Sequence, residues 1–134
     1  MKNFLLIVVC LISISLKAQT AIAPNAGDGT IGNPYQVSTI QNLYWITESS
    51  SRWGYHYIQT ENIDASETAN WFPDGAGGYY GWQPIGKDYV GDFTGTYDGS
   101  GFSIYGIYIN RTGEDYQGLF GRTNGATISN LGLE

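Results

Sequence analysis

Phe102-Ser103-Ile104-Tyr105-Gly106-Ile107-Tyr108-Ile109-Asn110 and Ala126-Thr127-Ile128-Ser129-Asn130-Leu131-Gly132-Leu133-Glu134 lie twenty-four positions apart in the 134-residue chain. Superposed, they set Ile104 on Ile128, Ile107 on Leu131 and Ile109 on Leu133, with small or polar residues between. A repeat of roughly 20 to 30 residues, each carrying a short strand, is how a solenoid shows itself in sequence. One such unit cannot bury its own apolar face, so about three or more must stack. The chain reaches Glu134 inside the strand of the second match, which reads as a C-terminal truncation of a longer array.

Upstream of this repeat, Tyr55-His56-Tyr57-Ile58-Gln59 is aromatic and β-branched, and Trp82–Ile85 and Phe93–Tyr97 are short apolar stretches. Nineteen glycines, about twice average usage, punctuate nearly every gap. Asp74-Gly75-Ala76-Gly77-Gly78 reads as a protruding loop and Asp98-Gly99-Ser100-Gly101 as a turn. One helix is expected: Ile40, Leu43, Tyr44 and Thr47 follow the i, i+3, i+4, i+7 pattern, Ser38 is placed as N-cap, and Gln41 completes a capping box. Pro34-Tyr35-Gln36-Val37 before it forms a strand, and residues 19–33, without periodicity, read as a flexible leader.

Residues 1–18 read as a secretory signal peptide. Lys2 opens it, the run from Phe4 to Leu16 is mostly apolar and too short to span a bilayer, and Ala18 offers a small residue for cleavage. The rest, residues 34–134 with their leader, is the size of one domain. Cys10, the single cysteine, leaves with the signal, so neither disulfides nor thiolate metal sites are available to an exported product. Arg52, Lys87, Arg111 and Arg122 then stand against all twelve acidic residues. That balance argues against nucleic acid as a partner, since phosphate binding needs clustered Lys and Arg.

Five ordered segments carry a resemblance. Asn33-Pro34-Tyr35-Gln36-Val37-Ser38-Thr39, Asn62-Ile63-Asp64, Trp82-Gln83-Pro84-Ile85-Gly86, Phe93-Thr94-Gly95-Thr96-Tyr97-Asp98-Gly99-Ser100-Gly101 and Gly118-Leu119-Phe120-Gly121 together resemble the bacterial surface proteins that carry GLUG motifs. Gly118, Leu119, Phe120 and Gly121 match the motif itself. The resemblance implies an all-β fold, the start of a right-handed parallel β-helix, with the Ser38 helix region capping its N-terminal end. It implies no single activity, because such repeats occur in adhesin-like proteins and beside catalytic domains such as immunoglobulin-cleaving metallopeptidases.

Chemistry is sparse. His56 stands alone, without a second histidine or a cysteine to share a zinc ion, and no His-Glu-x-x-His, Gly-x-Ser-x-Gly or phosphate-loop pattern occurs. Glu114-Asp115 and the group Asp88, Asp92 and Asp98 are the candidate paired carboxylates, weighed against the ordinary use of aspartate as a turn former. No cofactor is expected. Calcium is considered at Asp98-Gly99-Ser100-Gly101, which lacks the repeated acid spacing of calcium-binding solenoids. Trp71, Tyr79 and Tyr80, around the glycine loop, are the ligand-binding candidates because a loop exposes aromatic faces to a sugar ring, whereas Trp82 is expected in the core. The function expected is a secreted or cell-surface protein serving adhesion or display without catalysis, with a glycan or a host or cell-surface protein as partner and no membrane span in the mature chain. The alternatives are the N-terminal scaffold of a larger secreted enzyme and a small glycan-binding module.

Overall fold

Strands form where a β-branched or aromatic residue can be buried between short polar ones. In a computed structural model, which describes residues 19–134, these strands are β1 (Tyr35–Val37), β2 (His56–Gln59), β3 (Ile63–Asp64), β4 (Thr96–Asp98), β5 (Ser103–Tyr105), β6 (Thr127–Ser129) and β7 (Gly132–Leu133). They make two parallel sheets, ordered β1-β2-β4-β6 and β3-β5-β7. The signal peptide expected at residues 1–18 lies outside the described residues.

Register sets the core. Tyr35, Tyr57, Tyr97 and Ile128 align across the first sheet, and Ile63, Ile104 and Leu133 across the second. Tyr57, Tyr97, Ile63 and Ile104 are buried, and Trp53, Trp82, Ile85 and Phe93 fill the space between. The rings pack in offset and tilted pairs, Tyr35 on Tyr57 at 5.8 Å and Phe93 on Phe120 at 5.0 Å, arrangements that the ring quadrupole favours. On the last strands of the two sheets, Ile128 and Leu133 stay exposed.

The right-handed parallel β-helix is not what these residues build: no closed solenoid forms among them. The steps from Tyr35 to Tyr57, Tyr57 to Tyr97 and Tyr97 to Ile128 are unequal, so no fixed period runs through the paired strands. Between β3 and β4 the chain passes through a 3₁₀ turn (Ser66–Asn70), an antiparallel Pro73–Tyr79 bridge and further isolated bridges of both senses. The twenty-four-residue superposition is also out of register. Ile128 pairs with Tyr97 rather than matching Ile104, and Ile104 pairs with Leu133.

Helix α1 (Ile40–Thr47) buries Ile40, Leu43, Tyr44, Ile46 and Thr47. Tyr44 rests on Trp71 at 4.9 Å, and the Ile46 carbonyl accepts from Trp53 Nε1 at 2.9 Å, so the helix joins the common core. Its N-cap is Thr39, one residue past the expected Ser38: Thr39 Oγ1 accepts from the Asn42 N–H, and the Ser38 N–H donates to Asn42 Oδ1. Asn42, not Gln41, therefore makes the return contact of the cap. The segment expected as a flexible leader is fastened down. Ile22 exchanges hydrogen bonds with Gln41 and Asn42, Ala26 accepts from the Gln36 N–H, and Gly29 accepts from the His56 N–H. No helix among the described residues is long and apolar enough to cross a membrane.

Candidate functional site

Three loops on the long β3–β4 and β5–β6 connections are stitched together by two arginines. Arg111 donates through Nε to the Trp82 carbonyl at 2.8 Å and through Nη2 to the Gly81 carbonyl at 3.2 Å. Its guanidinium lies 5.2 Å from the Phe72 ring and 5.6 Å from the Tyr80 ring, and Nη1 reaches Glu114 at 3.4 Å. Arg122 repeats the construction. It holds Asp88 at 2.6 Å and Asp92 at 2.9 Å, and lies 5.3 Å from the Tyr116 ring. Each arginine thus ties an aromatic face and a carboxylate from different loops.

The loops themselves are short turns. Residues 87–91 close through the paired N–H and carbonyl groups of Lys87 and Gly91. Residues 111–117 close through the Glu114 N–H on the Arg111 carbonyl, with Gln117 Nε2 donating to the Asp115 carbonyl at 3.1 Å. Between them lies an open cleft of about 330 Å³, floored by Pro84 and walled by Lys87, Tyr89, Glu114, Asp115 and Tyr116. Burial pushes the Lys87 ammonium below its usual range; the Arg111 charge adds to this, and Glu48 and Glu114 oppose it.

Both loops carry the same six-residue pattern, Asp-Tyr-x-Gly-x-Phe. It reads Asp88-Tyr89-Val90-Gly91-Asp92-Phe93 in one and Asp115-Tyr116-Gln117-Gly118-Leu119-Phe120 in the other. The backbones agree as well, with φ of 59° at Tyr89 and 58° at Tyr116, and 154° at both Gly91 and Gly118. This repeat, rather than the strand-to-strand match, is the one the fold keeps, and its phenylalanines stack on each other. Tyr89 and Tyr116 stand outside the aromatic set expected from the sequence, and the repeated Asp-Tyr dipeptide is the sequence signal that marks them.

The expected residues separate. Trp71 is only 3% exposed and packs between Tyr44 and Trp82, so it is a core residue and not a loop aromatic; its contact with a helix far upstream gives no local sequence signal. Tyr80 is 38% exposed beside Arg111, and Tyr79 is half-buried, bridged to Pro73. Trp82 is fully buried. In the Gly118–Gly121 motif, Leu119 is buried, Phe120 packs on Phe93 and Tyr97, and the Ile85 N–H donates to the Leu119 carbonyl while the Gly121 N–H donates to that of Ile85. The motif is a packing element that fastens loop 111–117 to the Pro84–Gly86 segment.

Four of the five candidate carboxylates have structural partners. Asp88 and Asp92 face Arg122, Glu114 faces Arg111, and Asp98 Oδ1 accepts from the Ser100 N–H and from Asn130 Nδ2. Two donors are thus aimed at Asp98 Oδ1, and among the described residues no three His, Cys, Asp or Glu side chains gather where they could hold a metal ion. His56 Nδ1 shares a hydrogen bond of 2.9 Å with Thr96 Oγ1 across β2 and β4.

Halomucin of Haloquadratum walsbyi is 36% identical to this chain over 110 residues, which is 81% of the chain and 1% of halomucin. A protein of Evansella cellulosilytica described as a Gly-rich membrane protein is 40% identical over 95 residues, 71% of the chain and 10% of that protein. The chain therefore spans a small fraction of the length of the curated relatives it matches. No family model matches it, and no solved structure does.

Proposed function

We propose that this chain is a non-catalytic module of an exported protein held at the cell surface, of the GLUG-motif kind, and that it serves adhesion or display. The observation that carries this reading is the alignment of most of the chain with small parts of two far longer proteins, one of them described as a membrane protein. A unit that recurs inside much larger chains acts as a part, and its loops rather than a deep pocket are what it presents. The pairing of Asp88 and Asp92 with Arg122 and of Glu114 with Arg111 gives these acids a structural use in tying the loops together, which supports the non-catalytic side.

The full chain, tagged at its C-terminus and expressed in a bacterium that secretes it, tests this. Protease added to intact cells should remove the tag, and cells carrying the chain should attach to a glycan- or protein-coated surface more than cells lacking it. A tag reached only after lysis would overturn the surface assignment, and unchanged attachment would overturn adhesion.

A further inference from the structure

The cleft between loops 87–91 and 111–117 has a feature that packing does not explain. Tyr89 and Tyr116 both adopt left-handed backbone, which costs a non-glycine residue about 1–2 kcal/mol. Tyr89 is 100% exposed, so no contact of its ring offsets that cost. Tyr116 is 52% exposed although Arg122 lies against its ring, which leaves ring surface open to solvent while its position is held. Two aromatic rings raised on matched turns, on either side of a cleft near the lower size limit for small ligands, form a platform for flat apolar faces.

The polar groups at the same cleft narrow the ligand. Asp115 and Glu114 are exposed carboxylates beside Tyr116, and Lys87 supplies a donor on the opposite wall. Carboxylates accept hydroxyl hydrogen bonds strongly and repel anionic sugars. A pyranose offers both a C–H face for tyrosine and a ring of hydroxyls for the acids and the lysine.

We propose that this cleft is a binding site for a neutral glycan, with Tyr89 and Tyr116 stacking on sugar rings and Asp115, Glu114 and Lys87 bonding to hydroxyls. The proposal rests on the surface-module reading for where the glycan is met, but its chemistry is tested in solution. The site replaces Trp71, whose ring is buried, and lies on the loops that Arg111 and Arg122 hold.

The full chain is titrated with maltotriose, xylotriose, mannotriose and triacetylchitotriose, with trigalacturonate as anionic comparator, by tyrosine and tryptophan fluorescence and by NMR. At least one neutral trisaccharide should bind, and Tyr116→Ala and Tyr89→Gly should each weaken that binding tenfold or more. Tyr89→Gly relieves the left-handed strain, so it should keep or raise the thermal midpoint while losing binding, which separates function from folding. Tyr105→Ala, at an exposed position on β5, should leave binding intact. Binding of none of the four, binding indifferent to both substitutions, or preference for trigalacturonate overturns the proposal. None of these outcomes bears on surface exposure, which the protease experiment decides alone.

Discussion

The Tyr97 hydroxyl donates to Gln59 Oε1 at 2.9 Å inside the core. Gln59 is almost wholly buried, and its Nε2 donates to the carbonyls of Glu61 at 2.8 Å and Ser103 at 3.2 Å, so one amide joins both sheets. Removing the hydroxyl leaves a buried acceptor without its donor, at a cost of about 1–3 kcal/mol. Tyr97→Phe should lower the urea midpoint accordingly. Gln59→Leu should cost at least as much, because it strands two carbonyls and the hydroxyl together. A Tyr97→Phe protein as stable as the parent would show that the bond contributes nothing.

Gly121 closes the Gly-Leu-Phe-Gly segment for a steric reason. A Cβ there would stand 2.5 Å from both the Gly86 and Tyr116 carbonyl oxygens, closer than real Cβ contacts come, and backbone must shift to admit it. Gly121→Ala should destabilise by about 1–3 kcal/mol, the usual penalty of overpacking. At Gly125 a Cβ meets nothing within 4 Å and only the left-handed φ of 68° opposes it, so Gly125→Ala should cost about 1 kcal/mol. Chemical denaturation of the two variants side by side checks the order; the reverse order would sink the packing account.

The helix was legible because its stripe of Ile40, Leu43, Tyr44 and Thr47 repeats over enough residues to fix a face. Strand register was not. Strands of two to four residues carry two buried positions at most, so Thr127-Ile128-Ser129 resembles Ser103-Ile104-Tyr105 as closely as it resembles its real partner, Thr96-Tyr97-Asp98. The burial of Trp71 depends on Tyr44, a contact that no local pattern encodes. The paired loops are written in the chain as Asp-Tyr-x-Gly-x-Phe, whereas the apolar strand residues match best at a shorter offset that the fold does not keep.

Acid should weaken the fold through its turns. Asp28, Asp64, Asp74 and Asp98 each accept the backbone N–H two residues on. Hydrogen bonds hold all four carboxyls below their ordinary value of 3.8, from the side chain of Thr30 foremost at Asp28, of Ser66 at Asp64 and of Asn130 at Asp98, and from the Ala76 N–H at Asp74. A depressed folded pKa means that the unfolded chain takes up protons first as pH falls. The stabilisation is therefore complete above 3.8 and lost as pH drops through the folded values. Asp98→Asn keeps an acceptor and removes the titration, so its urea midpoint should fall less steeply in acid than the parent's; parallel curves would rule this out.

Alkali should act through buried phenols with the opposite sign. Burial raises Tyr44 from 10.0 to about 12, helped by Glu48, and pushes Tyr57 and Tyr97 higher still. Raised folded values make the stabilisation complete below 10.0 and lost as pH climbs through the folded values. Phenolate absorbance should show a group of tyrosines that ionises only with unfolding. A single smooth titration of every tyrosine in the folded protein would contradict this.

Arg122 is the residue on which the cleft depends without lining it. Its Nε faces Asp92 Oδ1, a buried atom that accepts no well-aligned hydrogen bond, and its Nη1 holds Asp88 while the guanidinium lies against Tyr116. The pair is partly exposed, so solvent screening keeps its worth between that of a surface bridge and that of a buried one, about 1–2 kcal/mol. Arg122→Gln leaves the Asp92 charge uncompensated and frees the Tyr116 ring. It should lose that stability, more at low salt than at high, and weaken glycan binding severalfold. Adding Asp92→Asn should restore much of the stability by removing the stranded charge, but not the binding, because the ring has still lost its support. Stability and binding that recover together in the double variant would assign Arg122 to charge neutralisation alone and remove its part in holding Tyr116.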